Sequence, residues 1–522
     1  MKKPLNALYA GLLTVLMIFV FTCCDYVSDK KRDSESNTAS DTAETIEPIT
    51  SGDTGDESLE ESETESEEES ESETESESGE VVQKNSAVHE NVAYDNIEKT
   101  AWGLVGQKPS LPSTGDVEVL VIPISFTNTD YEKYGTKTEI IERLEKAFNG
   151  TEEQTGWYSL SGYYKEVSYG KLNIHANISE VYETGEAYDV KKGVSGKTDC
   201  DYLLGALEYF DDRIDYSVYD QNDDGKIDCV YMVYLAPYYS SSDLWWAYFY
   251  SYYGKTVKYD NIEVCDYLWF SYEFFDEYIS VYRTENGKRQ YVYVDINCET
   301  LIHETGHALG LDDYYDYEDG GVVGGLAYFD MMDGTQGDHC PYSKAILGWI
   351  SPTVVYEKDY TATLRSFAST GDTIIISKND GGTYFEEYYM IALYTPTGVN
   401  EIKKEHQCGI PEHTGIMIWH VDATLIDKED FDEEVDTEID ITLYNNGGAS
   451  RKLITLVCAD GSDEIDTTDD YEVSDKDLYA AKRVITGLKW YDGTDVGVTV
   501  TIGEFTSAEE TEQTKITLKY GE

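Results

Sequence analysis

His303-Glu304-Thr305-Gly306-His307-Ala308-Leu309-Gly310-Leu311-Asp312-Asp313 is the stretch on which the reading of this 522-residue chain turns. Leu301, Ala308 and Leu309 give it helical spacing, and on a helix His303 and His307 stand four apart on one face. Both imidazoles can then reach one zinc ion. Glu304 adjoins the first histidine, where its carboxylate can take a proton from water activated by the metal. Gly310 lets the chain turn sharply, and the next ligand position, ten residues after His303, is Asp313. Asp312 is the weaker candidate, one residue off that position. Two His and one Asp leave a fourth position open for water, which marks a catalytic rather than a structural zinc site. Two core histidines beside a capping acid would be the bland explanation, and the full spacing argues against it.

Working outward, Tyr291–Ile296 reads as a strand leading into the helix. Downstream, Phe329-Asp330-Met331-Met332-Asp333-Gly334 sets a Met pair ahead of Asp-Gly turn chemistry, about twenty residues after Asp313. Taken alone the pair would be core. At this spacing Met332 is expected in a tight turn beneath the two histidines, as in metzincin proteases.

The flanks give the architecture. Val117–Phe126 is a β-branched run suited to a buried strand, and Thr138–Phe148 has helical spacing that stops at Asn149-Gly150. Leu172–Ile178 alternates as a strand, Tyr202–Phe210 reads as a short amphipathic helix, and Cys229–Leu235 as another apolar strand. Strands alternating with helices argue for an α/β layered domain. The Tyr- and Trp-rich stretch from Tyr238 to Tyr293 shows no clear period. After Pro352, short β-branched runs separated by turn signals dominate: Thr373–Ser377, Tyr388–Leu393, Gly415–Val421, Lys452–Val457, Gly497–Ile502 and Thr514–Lys519. Such spacing reads as an all-β sandwich-like domain. The expected division is a catalytic domain at 81–352 and a β-rich domain at 353–522.

A second metal site is suggested by Asp220-Gln221-Asn222-Asp223-Asp224-Gly225-Lys226-Ile227-Asp228. Oxygen donors alternate around a Gly, as in the first part of a calcium loop. Asp220, Asn222, Asp224 and Asp228 would ligate Ca2+ by side chain and Lys226 by its carbonyl, as a fold-stabilising site. Position twelve is Tyr231 rather than Glu, so this is not a complete EF-hand. The alternative is an acidic turn. His420 and Asp422 share one face of an expected strand but have no third partner, and are read as structural.

The chain carries 103 acidic and 39 basic residues, a net charge of −64. Phosphate recognition needs clustered Lys and Arg, so nucleic acid is excluded as a partner. Twenty of the acids lie between Asp33 and Glu80, where there is no Lys or Arg and little to bury. This stretch is expected to be an extended, disordered stalk over 25–80. Before it, Lys2-Lys3, the apolar run Leu5–Thr22 and Cys23-Cys24 read as an export signal over 1–24. Cleavage as a lipoprotein at Cys23 or Cys24, retention as an apolar anchor, and plain secretion all export the rest of the chain. The seven later cysteines are widely spaced with no C-x-x-C pair, which excludes a zinc ribbon or a disulfide-dense scaffold.

These motifs together resemble the immune-inhibitor-A-type metalloproteases, secreted bacterial metzincins with Asp as third zinc ligand. The resemblance is carried by Ser161–Leu172, by His303–Asp316, by Phe329–Met332 and by Ala345-Ile346-Leu347-Gly348-Trp349. It continues in Gly415–Asp422, similar to a strand of the family's β domain. It implies a metzincin-like α/β (α+β) catalytic domain with an active-site helix and Met-turn, followed by the sandwich-like domain. It further implies a zinc endopeptidase acting on extracellular proteins, with His303, His307 and Asp313 as ligands and Glu304 as general base. A monomer on the bacterial cell surface is expected, held to the membrane by its N-terminal lipid or apolar anchor, or else secreted. Tyr342 is one of several tyrosines that could face the developing oxyanion. The competing reading is a surface adhesin or glycan-binding protein on a metalloprotease scaffold.

Overall fold

Gly115–Ser125 is an inner strand of the first sheet, exposed at Gly115 and Asp116 and buried throughout from Val119 to Ser125. Leu172–Ile178 and Val230–Tyr234 flank it, both parallel to it, and Asp266–Ser271 follows parallel to Val230–Tyr234. Tyr248–Ser251 closes this end of the sheet and runs antiparallel to Asp266–Ser271. Tyr182–Glu183 pairs with the C-terminal end of Gly115–Ser125. Parallel strands are buried on both faces, which explains why Val230–Tyr234 is apolar throughout rather than alternating.

The computed structural model describes residues 86–90, 109–189, 197–239, 242, 244–283, 289–316, 325–380, 384–401, 410–425, 442, 446, 451–462, 465, 473–508 and 511–521. The export segment with Cys23 and Cys24, and the stalk at 25–80, lie outside these residues, as does Cys408. Among the described residues no helix is long and apolar enough to cross a membrane.

Helices cover both faces of the sheet. Lys137–Asn149 begins with a capping box: Thr136 Oγ1 accepts the Glu139 N–H at 3.3 Å, and Glu139 Oε2 accepts the Thr136 N–H at 2.8 Å. Its Ile140, Leu144, Ala147 and Phe148 form the buried stripe. Leu160–Val167 and the site helix, Glu299–Ala308, pack on the same side, in one apolar cluster with Val119, Val121, Tyr231 and Leu268. Asp199–Phe210 covers the other face, with Leu120, Ile122, Met232 and Trp269.

Beyond Pro352 a second sheet runs in the order Ala87–His89, Thr353–Tyr356, Thr373–Ser377, Glu387–Tyr394, Gly415–Asp422, Ile454–Leu456. A third, antiparallel sheet is built from Tyr360–Arg365, Thr511–Tyr520, Val498–Ile502 and Val484–Ile485. Ile374, Ile376, Ile391 and Ile418 of the second sheet meet Leu364, Val500, Ile516 and Leu518 of the third in a common core. The other face of the second sheet belongs to the core that holds the site helix: Ile375, Met390, Met417 and Trp419 cluster with Leu301, Met331 and Trp349.

The expected division at residue 352 is therefore crossed twice. Ala87–His89 pairs with Thr353–Tyr356, and the apolar cluster runs continuously from Leu111 to Leu478. All described residues fall in the compact unit containing Asn85–Glu522. The chain is a mixed α/β protein with several sheets and few helices.

Candidate metal centre

The site helix starts where the Asn297 side-chain oxygen accepts the Glu299 N–H at 2.8 Å. It ends where Gly310, at φ +91°, donates to the His307 carbonyl at 2.8 Å, while Leu311 N–H reaches the Gly306 carbonyl at 2.9 Å. That left-handed position favours Gly and turns the chain back over the helix. The return brings Asp313 opposite the two histidines. Asp313 Oδ1 lies 3.0 Å from His303 Nε2 and 3.3 Å from His307 Nε2. The three ligand atoms all fall within 4.8 Å of one another, a grouping that can hold a metal ion. Asp313, and not Asp312, is the acid that joins the pair.

The second nitrogen of each imidazole fixes its orientation. His303 Nδ1 lies 2.7 Å from the Met331 carbonyl, and His307 Nδ1 lies 2.9 Å from the Leu311 carbonyl. A carbonyl only accepts, so each Nδ1 carries the proton, and a neutral ring presents the bare Nε2 lone pair to Asp313. Three acceptor atoms facing one another in a buried place repel unless positive charge lies between them. That is the donor set and the tautomer a cation needs. Without an ion, the demand falls on the imidazoles. Burial opposes their protonation, yet the Asp313 carboxylate pushes His307 up to about 10 and raises His303 as well. Burial alone would raise Asp313, and the two imidazoles instead hold its carboxyl well below the usual range.

Glu304 is 6% exposed beside this group. Burial raises its pKa, while the two imidazoles and the Phe249 backbone N–H act in the opposite direction. Phe249 belongs to Tyr248–Ser251, the antiparallel strand at the end of the first sheet, so a sheet edge lies against the glutamate. This neighbour was not foreseen, because a backbone donor has no residue-type signature and the surrounding aromatic run shows no period. Tyr315 stacks on the His303 ring at 6.3 Å between centroids.

Met332 is fully buried beneath the helix. A Cβ placed on Gly306 would come within 2.3 Å of its Sδ, so the glycine allows the sulfur to approach the helix between the two histidines. The Met332 carbonyl accepts the Tyr314 N–H at 2.8 Å, next to Asp313. Tyr342, 2% exposed, sits in the apolar cluster.

In the 220–228 loop the side chains turn toward the loop's own backbone. Asp220 accepts from the Asp224 and Gly225 N–H groups at 3.0 Å each, Asn222 from Asp224 at 2.9 Å, and Asp224 from Lys226 at 2.9 Å. Asp228 Oδ2 accepts the Gln221 N–H at 3.1 Å, and its Oδ1 is buried without a hydrogen-bond partner. Asp220, Asp224 and Asp228 do not gather as the 303–313 group does. Cys458, Asp460 and Asp477 do gather within 4.8 Å. Two of these carboxylates already cap turns, Asp477 at Ser474 and Asp460 at Ser462.

His420 and Asp422 lie on Gly415–Asp422 and contribute to a polar cluster away from any metal-like grouping. His420 Nε2 is 2.9 Å from Glu387 Oε1, and Arg451 pairs with Asp422.

No known protein-family model matches this chain. No curated protein matches it either.

Proposed function

We propose that this protein is a zinc-dependent endopeptidase of metzincin-like design, cleaving extracellular proteins. The observation that carries the reading is the convergence of two Nδ1-protonated imidazoles and one carboxylate beside a buried glutamate. His303, His307 and Asp313 would hold the ion, and Met332 would be the methionine of the turn beneath it. Zinc in that position would supply Lewis-acid activation of water and of the scissile carbonyl.

The chain's own groups do the rest. Glu304 takes a proton from the attacking water and passes it to the leaving amine. The Phe249 N–H favours the charged form of this carboxyl, and Tyr248–Ser251 is an edge strand along which an extended peptide can pair as an added strand. Tyr315 stacks on the ring of His303, one of the residues that would hold the ion. Export and surface display rest on residues 1–80 alone, and calcium at the 220–228 loop rests on its donor spacing and on the unpartnered Asp228 oxygen.

The test is casein hydrolysis by the soluble protein, wild type against Glu304→Gln, with zinc content measured on both. Glu304→Gln should keep its zinc and lose about 10²–10⁴-fold in turnover, the range for removing a general base. A chelator should abolish wild-type activity and added zinc restore it. Equal turnover in the variant would sink the mechanism. Zinc-loaded wild type that cleaves nothing would favour the adhesin or glycan-binding reading.

A further inference from the structure

Behind the metal group lies a carboxylate that touches none of its proposed ligands. Asp330 is fully buried. Its Oδ1 accepts the Met332 N–H at 2.7 Å and its Oδ2 accepts the Cys340 N–H at 2.6 Å. One side chain thus ties both ends of the segment from Met331 to Cys340.

The Met332 N–H and the Met331 carbonyl belong to the same peptide unit, and a peptide unit is planar and stiff. At one edge of that plane the N–H is held by Asp330. At the other, the carbonyl accepts the His303 Nδ1–H at 2.7 Å. Fixing the N–H therefore fixes the direction of the carbonyl, and the carbonyl fixes both the tautomer and the rotation of the imidazole. The same short turn places the Met332 carbonyl on the Tyr314 N–H, beside Asp313. Met332 itself fills the space that Gly306 leaves open. Three supports of the metal group therefore hang on one turn, and Asp330 is what holds its backbone.

We propose that Asp330 is a positioning residue that sets the metal affinity of the centre by orienting His303 through the Met331–Met332 peptide. The proposal rests on the reading of His303 as a metal ligand. Outer partners of ligating histidines typically govern about 10- to 100-fold in metal affinity.

The experiment measures zinc affinity of chelator-stripped protein by competition with a chromophoric chelator, and the visible spectrum of the Co2+-loaded form. Wild type is compared with Asp330→Asn, which offers one acceptor where the carboxylate offers two. Asp330→Asn should bind zinc about 10- to 100-fold more weakly and show a shifted Co2+ spectrum. A second variant, Asp330→Ser, keeps one side-chain oxygen for the Met332 N–H and gives up the bond to the Cys340 N–H. It should weaken zinc binding and shift the Co2+ spectrum in the same direction as Asp330→Asn. Should Asp330→Asn fail to fold, Asp330→Ser decides, weaker binding supporting the role and unchanged binding overturning it. Wild-type zinc affinity and an unshifted Co2+ spectrum in folded Asp330→Asn would overturn the positioning role and leave the metal centre standing. Wild type that binds no zinc would overturn both.

Discussion

Glu387 shows what a single buried acid does in the second sheet. Its Oε1 accepts from His420 Nε2 at 2.9 Å and from the Tyr491 N–H at 2.5 Å, and its Oε2 pairs with Lys378 Nζ at 2.7 Å. The His420 ring is sandwiched between Tyr389 at 4.2 Å and Tyr491 at 4.0 Å. Burial would raise the Glu387 carboxyl, but its donors win and hold it at about 2, against an ordinary 4.5. A carboxyl whose pKa is depressed on folding stabilises the protein above its unfolded value. That stabilisation is lost as pH falls from about 4.5 toward 2. Glu387→Gln should therefore lose about 1.5–3 kcal/mol at neutral pH, the scale of hydrogen bonds to a charged group. Its stability should also fall less steeply than wild type between pH 4.5 and 2, as chemical denaturation at each pH would reveal. Parallel stability curves would remove Glu387 as the acid-sensitive group. His420 and Asp422 were legible as structural from the lack of a third ligand beside them in the sequence. Their partners were not, because Glu387 is 33 residues away from His420 and Arg451 lies beyond the strand.

At the scale of elements, the helices and strands with strong periodicity emerged close to their true bounds. Thr138–Phe148 became Lys137–Asn149, and Thr373–Ser377 was unchanged. Tyr248–Ser251 and Asp266–Ser271 were missed, since Tyr and Trp fill both faces of the sheet there and leave no alternation to read. The expected strand at Tyr291–Ile296 is Arg289–Tyr293, ending earlier to let the chain enter the site helix. The 220–228 loop tests how far donor spacing alone can reach. Its side chains are engaged with backbone N–H groups, and one Asp228 oxygen is buried and unpartnered. A bound Ca2+ would satisfy that oxygen, and a ligand that binds only the folded state raises its melting temperature by mass action. Millimolar Ca2+ should thus raise the melting temperature of the wild type at neutral pH, and Asp228→Asn should remove most of that gain. No shift with Ca2+ would reduce the loop to an acidic turn.

At the scale of the whole molecule, the apolar packing runs across residue 352. Composition changes there, from α/β alternation to short strands, and a composition change is what a sequence displays. What it does not display is which face of a later sheet covers an earlier core. Thr373–Ser377 is buried along its entire length, and Ile374 and Ile376 enter the core shared with the third sheet while Ile375 joins the core of the site helix. An uninterrupted apolar strand of this kind is the mark of a sheet covered on both sides. The consequence is energetic. Removing 353–522 would expose residues facing Tyr388, Met390, Met417 and Trp419, all buried in the shared cluster. At about 1.5–3 kcal/mol for each large apolar side chain, that loss is comparable with the about 5–15 kcal/mol that stabilises a typical domain. A fragment covering 81–352 should accordingly lack a cooperative melt, bind a hydrophobic dye and hold zinc poorly, whereas the chain extended to 522 should do none of these. A fragment that melts sharply and binds zinc as the full chain does would restore the boundary at 352. It would also free the metal centre from any dependence on the sheets that follow it.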